Sequence, residues 1–291
     1  MEYSAYILPT SMQIIPDIPS FRSIRQAISP QLRIGFVPTM GALHEGHASL
    51  VRQSVLENDI TIVSIFVNPT QFGPNEDLDK YPRNLEADAA LLESLGVDFV
   101  FTPSAKEVYP DPPAQFYFEI RDLDKKLCGA SRPGHMNGVV QVVSILFNIV
   151  QPNFAYFGLK DYQQCLILQT LVRELHFPLT IVPCPIVRES DGLAMSSRNV
   201  YLSPSEREQA LFLSKVLAEI KAKKASLKDV AAAKALVTER LQSYPLAKLD
   251  YFEIYDGRNL KEIPSLEELH QPHAFIAAYL GTTRLIDNLA L

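Results

Sequence analysis

Two histidines in the run His44-Glu45-Gly46-His47 are the side chains of this 291-residue chain best placed to do chemistry. They follow the apolar run Leu32–Val37, which predicts a buried strand, and helical spacing begins at Gly46. The pair therefore lies where a strand passes into a helix, beside unpaired backbone N–H groups and the positive end of the helix dipole. Such a corner suits anionic oxygen, phosphate above all. The alternative is two unrelated surface or core histidines.

Two further segments carry a polar side chain at the end of a predicted strand. In Phe157–Gln164, Lys160 lies where a helix is expected to begin, so its ammonium group could reach phosphates or simply be solvated. In Val67–Phe72, Gln71 offers both a donor and an acceptor, which could bind a substrate hydroxyl or carboxylate or tie down the loop.

The segment Met195–Asn199 combines two hydroxyls with a guanidinium group. Ser196, Ser197 and Arg198 present hydrogen-bond donors in a row, which suits the oxygens of a triphosphate or of departing pyrophosphate. An ordinary polar loop has the same composition, so this segment alone does not separate the two interpretations.

Alternating strand and helix patterns fill the first two-thirds of the chain. The sequence predicts strands at Leu32–Val37, Ile60–Val67, Val97–Phe101, Phe154–Phe157 and Leu179–Val182, and helices at Asn84–Leu95, Asn137–Val150 and Asp161–His176. This alternation predicts an α/β fold with a doubly wound parallel sheet. In such a sheet ligands bind outside the carboxyl ends of the strands, where the histidines and Lys160 are expected.

The pattern changes near Val187, so we expect one domain over residues 1–186 and a second over residues 187–291. Ser203, Pro204 and Glu206 form a helix-start signal with a capping box. Two helices up to about Leu241 and then three strand-like runs predict a smaller α+β domain. The strand-like runs are Leu249–Tyr255, His273–Leu280 and Arg284–Ile286.

Charge and cysteine content argue against some classes of function and some compartments. The formal net charge of −6 gives no general attraction for nucleic acid or anionic membranes. No apolar stretch approaches the length of a membrane span, and Met1–Ser11 lacks the order of a signal peptide. The three cysteines, Cys128, Cys165 and Cys184, are widely spaced and predict buried thiols in a reducing compartment. We therefore expect a cytoplasmic protein.

Six motifs in order resemble the pantothenate synthetase family. They are Pro38-Thr39-Met40-Gly41 with His44-x-Gly46-His47, Asn68-Pro69-x-Gln71-Phe72, Tyr81-Pro82-Arg83, Arg132-Pro133-Gly134-His135, Phe157-Gly158-x-Lys160-Asp161-x-Gln163-Gln164 and Ser196-Ser197-Arg198-Asn199. The closing Arg284-Leu285-Ile286-Asp287-Asn288 is also similar to that family's end. The resemblance covers nearly the whole chain from about Met12.

The resemblance implies an ATP-dependent ligase that joins (R)-pantoate to β-alanine through a pantoyl-adenylate intermediate and releases AMP and pyrophosphate. It also implies a Rossmann-like first domain, a small C-terminal lid domain that closes over the nucleotide, a homodimer and a requirement for Mg²⁺. Two alternatives stay open from the residues alone: a nucleotidyltransferase that keeps the adenylyl group on its product, and a nucleotide-binding module without catalysis.

The resemblance also assigns site residues. The implied catalytic residues are His44, His47, Lys160, Ser196, Ser197 and Arg198. The implied ATP-binding residues are Met40, Gly41, Ala42, Leu43, His44, Glu45, Gly46, His47, Gly158, Leu159, Lys160, Asp161, Val187, Met195, Ser196, Ser197 and Arg198. Gln71 and Gln164 are implied to bind pantoate, and Gln71 also β-alanine. Asp88 is our candidate magnesium contact, with an exposed helix acid as the alternative. Position 159 is Leu where the family usually has an acid.

Overall fold

The computed structural model describes residues 11–74, 76–227 and 229–291, so most of the segment Met1–Ser11 lies outside the described residues. In the described ranges, no helix combines the length and apolar character needed to cross a membrane. Contacts divide the chain into two compact units. The first runs to Ile120 and also takes in Arg132–Gly158 and Ile167–Cys184. The second comprises Arg121–Ser131, Leu159–Leu166 and Pro185–Leu291.

A six-stranded parallel sheet forms the centre of the first unit. Its strands are β1 (Gln13–Ile15), β2 (Ile34–Thr39), β3 (Ile60–Ile65), β4 (Phe99–Phe101), β5 (Phe154–Gly158) and β6 (Thr180–Cys184). They are arranged in the order β1-β4-β3-β2-β5-β6. The predicted doubly wound parallel sheet is therefore confirmed. Strands β3 and β4 follow on one side of β2, whereas β5 and β6 lie on the other. The strand order therefore switches between the neighbouring β2 and β5, and such a switch point is where these folds bind ligands.

Helices connect these strands. They are α1 (Ile18–Ala27), α2 (Glu45–Glu57), α3 (Leu85–Ser94), α4 (Ala105–Val108), α5 (Leu127–Ser131), α6 (His135–Val150) and α7 (Tyr162–Glu174), of which α5 and the first five residues of α7 belong to the second unit. The central strands β2 and β3 are almost entirely buried, as their continuous apolar sequence requires for a sheet covered on both faces. The three cysteines are buried thiols, as predicted.

The second unit contains an antiparallel sheet with helices packed against it. Its strands are β7 (Ala247–Asp256), β8 (Pro272–Leu280) and β9 (Thr283–Ala290). Besides α5 and the start of α7, it contains the helices α8 (Pro204–Ala210), α9 (Phe212–Lys223) and α10 (Val230–Leu241). Phe212, Val216 and Ile276 belong to the shared apolar core. The predicted α+β character is confirmed. Up to Leu241, the described residues of this region form three α-helices rather than the two predicted, because Leu211 separates α8 from α9.

Candidate active site

The turn after β2 is held in an unusual backbone conformation by a buried acid. Gly41 and Ala42 both have positive φ angles, +81° and +51°. Asp88 in the first turn of α3 is 4% exposed, and its carboxylate accepts the N–H of Ala42 at 2.9 Å and that of Leu43 at 2.8 Å. A Cβ on Gly41 would lie 3.0 Å from Asp88 Oδ2, so glycine is required there by conformation and by space.

These contacts bear on the magnesium contact predicted for Asp88. The residue is buried rather than an exposed helix acid, and each of its oxygens already accepts a backbone N–H. These two hydrogen bonds and its burial give Asp88 a structural role in the turn. Among the described residues, no three or more His, Cys, Asp or Glu side chains are grouped so that they could hold a metal ion.

His44 and His47 cap the start of α2 and each other. His44 is the N-cap residue, and its Nδ1 accepts the Gly46 N–H at 3.1 Å. The Nδ1 atom of His47 accepts the His44 N–H at 3.4 Å, which completes a capping box made of two imidazoles. Because both Nδ1 atoms accept hydrogen bonds, the hydrogen of each neutral ring is on Nε2. In that tautomer both N–H donors of the pair lie on Nε2.

Gln71 lies at the end of a short 3₁₀ turn, Pro69–Gln71, that follows β3. Its Oε1 accepts from Nδ2 of the buried Asn68 at 3.2 Å, and its Nε2 lies 2.9 Å from the sulfur of Met40. The structure thus brings Gln71 beside the turn that leads to the histidines. Asn68 also donates to the Gly138 carbonyl at 3.1 Å, and a Cβ on Gly138 would clash with the backbone of Thr70.

An ion pair fixes the backbone of Gln71 from the other side. Arg132 pairs with Glu76 through two hydrogen bonds of 2.6 and 2.5 Å and contacts Nε2 of His135 at 2.8 Å. Nδ1 of His135 lies 2.9 Å from the carbonyl oxygen of Gln71. Burial opposes the charge of Glu76, but the hydrogen bonds and charge of Arg132 outweigh it and hold the pKa of that carboxyl at about 2.

In the second unit, Leu159–Asp161 forms a 3₁₀ turn before α7. Lys160 is partly buried, and its Nζ lies 3.6 Å from Oδ2 of Asp161. The side chain of Asn288 on β9 donates to the carbonyl oxygens of both Leu159 and Lys160, at 2.9 and 3.0 Å. The backbone that carries the predicted phosphate-binding lysine is therefore tied to the C-terminal strand.

A second segment of this unit brings other predicted residues together. The N–H of Met195 donates to the carbonyl of Val187 at 3.0 Å, so these two predicted nucleotide contacts are neighbours. Ser196 caps the 3₁₀ turn Ser197–Tyr201, and its Oγ accepts the Arg198 N–H at 3.3 Å. Asn199 donates to Glu189 Oε1 at 2.7 Å, which joins the turn to the preceding loop.

The two glutamines at the start of α7 differ in their surroundings. Gln163 is 4% exposed, and its amide donates to the carbonyls of Leu123 and Lys126 at 2.5 and 2.7 Å and accepts the Gly129 N–H at 3.2 Å. Gln163 therefore fixes the backbone of the neighbouring segment Leu123–Gly129. Gln164, the predicted pantoate residue, is only partly buried.

Sequence reasoning missed the supporting roles of two residues. It named Asp88 only as a candidate magnesium contact, and it quoted Asn288 in the closing motif without a role. Asp88 anchors a turn 46 residues earlier in the chain, and Asn288 anchors one 129 residues earlier. No local pattern signals such a contact. Arg132, His135 and Asn68 did lie in motifs that resemble the family, and that resemblance was the only signal for them.

Comparison with known proteins places the whole chain in one group. A sequence model described as pantoate-beta-alanine ligase matches residues 13–290. A pantothenate synthetase of Pseudothermotoga lettingae is 48% identical over 281 residues, which cover 96% of this chain and 99% of that protein. A pantothenate synthetase of Fervidobacterium nodosum is 50% identical over 284 residues, which cover 96% of this chain and 99% of that protein.

Solved structures give the same result. The crystal structure of pantothenate synthetase from Thermus thermophilus has a TM-score of 0.89 and 42% identity, and covers 96% of this chain and 99% of its own. The pantoate-beta-alanine ligase of Francisella tularensis, solved in complex with beta-gamma ATP and beta-alanine, has a TM-score of 0.80 and 38% identity, with 96% and 98% coverage.

Proposed function

The chain belongs to the pantoate–β-alanine ligase family, and we infer from its site how it carries out that reaction. The enzyme condenses (R)-pantoate with β-alanine at the expense of ATP and releases AMP and pyrophosphate. The observation that carries this function is the family match over residues 13–290. The histidine cap at the start of α2 adds a phosphate-binding geometry to it.

The reaction needs two steps because a carboxylate does not acylate an amine in water. A carboxylate oxygen of pantoate attacks the α-phosphorus of ATP, the bond from that phosphorus to the bridging oxygen breaks, and pyrophosphate leaves. The amine of β-alanine then attacks the carbonyl of pantoyl adenylate, the bond to the adenylate oxygen breaks, and AMP leaves as the amine gives up a proton. Catalysis of the first step is mostly positioning and charge stabilisation.

We assign charge stabilisation first to the two imidazoles. The Nε2–H groups of His44 and His47 donate to phosphate oxygens as negative charge builds on them, and His47 is our proton donor. We assign the cradle to the backbone of residues 40–47, since Gly46 has no side chain and the helix dipole of α2 points its positive end there.

From the family resemblance we assign a second set of residues to ATP. Lys160, Ser196, Ser197 and Arg198 would hold the triphosphate and follow its charge to the departing pyrophosphate. The backbone of Gly158–Asp161, together with Val187 and Met195, would contact the nucleotide. A Cβ on Gly158 would meet no atom within 4 Å, so the space beside this residue can admit a ligand.

We assign Gln71 and Gln164 to pantoate, and Gln71 also to β-alanine. What supports this for Gln71 is its fixed position beside Met40, in the same turn that leads to the histidines. Both ends of an amide can be used: the nitrogen donates to a carboxylate and the oxygen accepts from a hydroxyl.

We propose that Mg²⁺ enters with the triphosphate, whose oxygens are its usual ligands together with water and one or two carboxylates. Asp88 fits poorly as that carboxylate because it is buried and both of its oxygens already shape the turn. From the family resemblance we further propose a cytoplasmic homodimer.

The test is incubation of the protein with ATP, Mg²⁺, pantoate and β-alanine, followed by product identification. We expect pantothenate, AMP and pyrophosphate in equal amounts, with AMP release dependent on β-alanine. A nucleotidyltransferase that keeps its adenylyl group would release pyrophosphate without forming AMP when the amine is present. A binding module would not exchange labelled pyrophosphate into ATP when pantoate is added.

A further inference from the structure

The motif on β9 contains two consecutive buried polar residues that the proposed reaction does not use. Asp287 and Asn288 are 3% and 4% exposed. Nδ2 of Asn288 donates to the carbonyls of Leu159 and Lys160, and its Oδ1 lies 2.8 Å from Nε2 of His273. A buried amide whose oxygen and nitrogen are both hydrogen-bonded has one fixed orientation. It therefore also fixes the backbone groups to which it donates.

The orientation of the Asn288 amide follows from its partners. Two carbonyl oxygens can accept only from the NH₂ group, so Oδ1 must face His273, and Nε2 of His273 must be the donor. His273 is 8% exposed and packs against the rings of Tyr162 and Phe275, with centroids 4.2 and 4.8 Å away. Burial lowers the pKa of His273, which favours the neutral ring that this arrangement uses.

The neighbouring Asp287 holds the other nucleotide segment of the same unit. Its two oxygens accept from Nη2 and Nη1 of Arg188 at 2.9 and 2.7 Å. Arg188 follows Val187 in the chain and also donates to the Gly192 carbonyl at 3.0 Å. Asp287 Oδ1 in addition accepts the Asn288 N–H at 2.8 Å. Two adjacent residues of one strand thus fix both of the segments in this unit that we assign to ATP.

We propose that Asn288 is a positioning residue for ATP: its amide fixes the Leu159–Lys160 backbone so that the lysine ammonium is held for the phosphates. This proposal rests on the proposed function, which places Lys160 at the triphosphate. Without Asn288, the carbonyls of Leu159 and Lys160 lose their donors, and the 3₁₀ turn before α7 can change its conformation. Asn288 itself need not touch the substrate.

Replacing the amide of Asn288 with a carboxylate of nearly the same size separates the effect of its hydrogen-bond donors from the effect of its size. Asn288→Asp keeps the shape but removes the NH₂ donors, so acceptor atoms face the carbonyl oxygens of Leu159 and Lys160. Asn288→Ala removes the contact without adding a charge. His273→Phe keeps an aromatic ring beside Tyr162 but removes the donor that orients the amide. The matched control is Asn259→Asp, which makes the same change at an exposed residue of the same unit.

The experiment measures pantoate-dependent exchange of pyrophosphate into ATP and steady-state KM values for all three substrates. Losing a buried hydrogen-bond donor typically changes an equilibrium by about tenfold or more. We therefore expect Asn288→Asp and Asn288→Ala to raise the KM for ATP at least about tenfold, with the KM for β-alanine within about twofold of the wild-type value. His273→Phe should give an intermediate rise, and Asn259→Asp none.

The outcomes distinguish this proposal from the proposed function. If the wild-type protein exchanges no pyrophosphate, the proposed function fails. If it does, and a folded Asn288→Ala protein keeps the wild-type KM for ATP, the positioning role is overturned. An equal loss for ATP and β-alanine in both Asn288→Ala and His273→Phe, with a lowered melting temperature, would also overturn it, because a merely structural residue would behave that way.

Discussion

The rings of His44 and His47 lie with their centroids 4.1 Å apart and their planes inclined by 39°. The Nδ1 atoms accept the backbone N–H groups of Gly46 and of the N-cap residue His44, so each Nε2 carries the hydrogen of the neutral ring. The same two residues thus start the helix and present donors at its positive end. Capping and phosphate binding are two functions of one pair, and substitutions can separate them.

His44→Asn separates the two functions at the N-cap. Asparagine is among the best N-cap residues, so the start of α2 and the thermal stability should be retained, whereas His44→Ala should lose about 1 kcal/mol of stability. Both variants lack the Nε2–H donor and should lose most of their turnover. The measurement compares melting curves with rates of pantothenate formation. An active His44→Asn protein would show that His44 acts only as a cap.

His47→Ala tests the proton donor more directly. Removing one donor that stabilises developing charge typically lowers turnover by about a hundredfold or more, and we expect a loss of at least that size with the fold intact. Circular dichroism checks the fold, and single-turnover formation of pantoyl adenylate measures the step concerned. A loss below about tenfold would contradict the assignment.

The central elements could be predicted from local patterns, whereas the supports of the site could not. Ile60–Ile65 is β-branched and continuous, so its type and place follow from the sequence, and the capping box at Ser203 and Glu206 is present as predicted. Strand β1 has three residues and only one buried side chain, too short for a periodic signal. Asp88 and Asn288 act through contacts far along the chain, which only folding brings about.

The N-cap role of His44 shows a different limit of prediction from the sequence. Capping is usually performed by Ser, Thr, Asp or Asn, so a histidine gives no helix-start signal. The sequence did place the helix correctly, because apolar residues recur at helical spacing after Gly46, but it could not show that the imidazoles fix their own tautomers. That information comes only from the positions of the backbone N–H groups.

Gln163 and Gln164 provide a matched pair. Gln164→Ala should raise the KM for pantoate about tenfold and leave the melting temperature unchanged, because the predicted role is substrate binding. Gln163→Ala should instead lower the melting temperature, since it leaves the carbonyls of Leu123 and Lys126 without their donor. Kinetics at varied pantoate and at varied ATP measure the first effect. A Gln164→Ala protein weakened only toward ATP would show that the residue lies elsewhere.

The ion pair between Glu76 and Arg132 gives a pH-dependent prediction. The pKa of Glu76 falls from its ordinary 4.5 to about 2 in the folded protein. Its contribution to stability is therefore complete above about pH 4.5 and is lost as the pH falls through about 2. The difference in unfolding free energy between wild type and Glu76→Gln should be constant near neutral pH and shrink across that window. A difference that grows toward acid pH would contradict the pairing, and the exposed Glu93→Gln is the control for removing a charge.

Gly41 and Gly158 separate backbone conformation from access to the ligand. Gly41 has φ of +81° and almost no room for a Cβ, so Gly41→Ala should cost about 1–2 kcal/mol in backbone conformation alone, displace Asp88 and reduce activity.

Gly158 has neither constraint, because a Cβ there meets no atom within 4 Å. Gly158→Ala should thus keep the wild-type melting temperature while raising the KM for ATP, since the new methyl group would occupy space that we assign to the nucleotide. Melting curves and ATP titrations of the two variants decide between these effects. If Gly158→Ala binds ATP as tightly as wild type, the nucleotide does not approach this residue, and the assignment of Gly158 to the cradle must be abandoned.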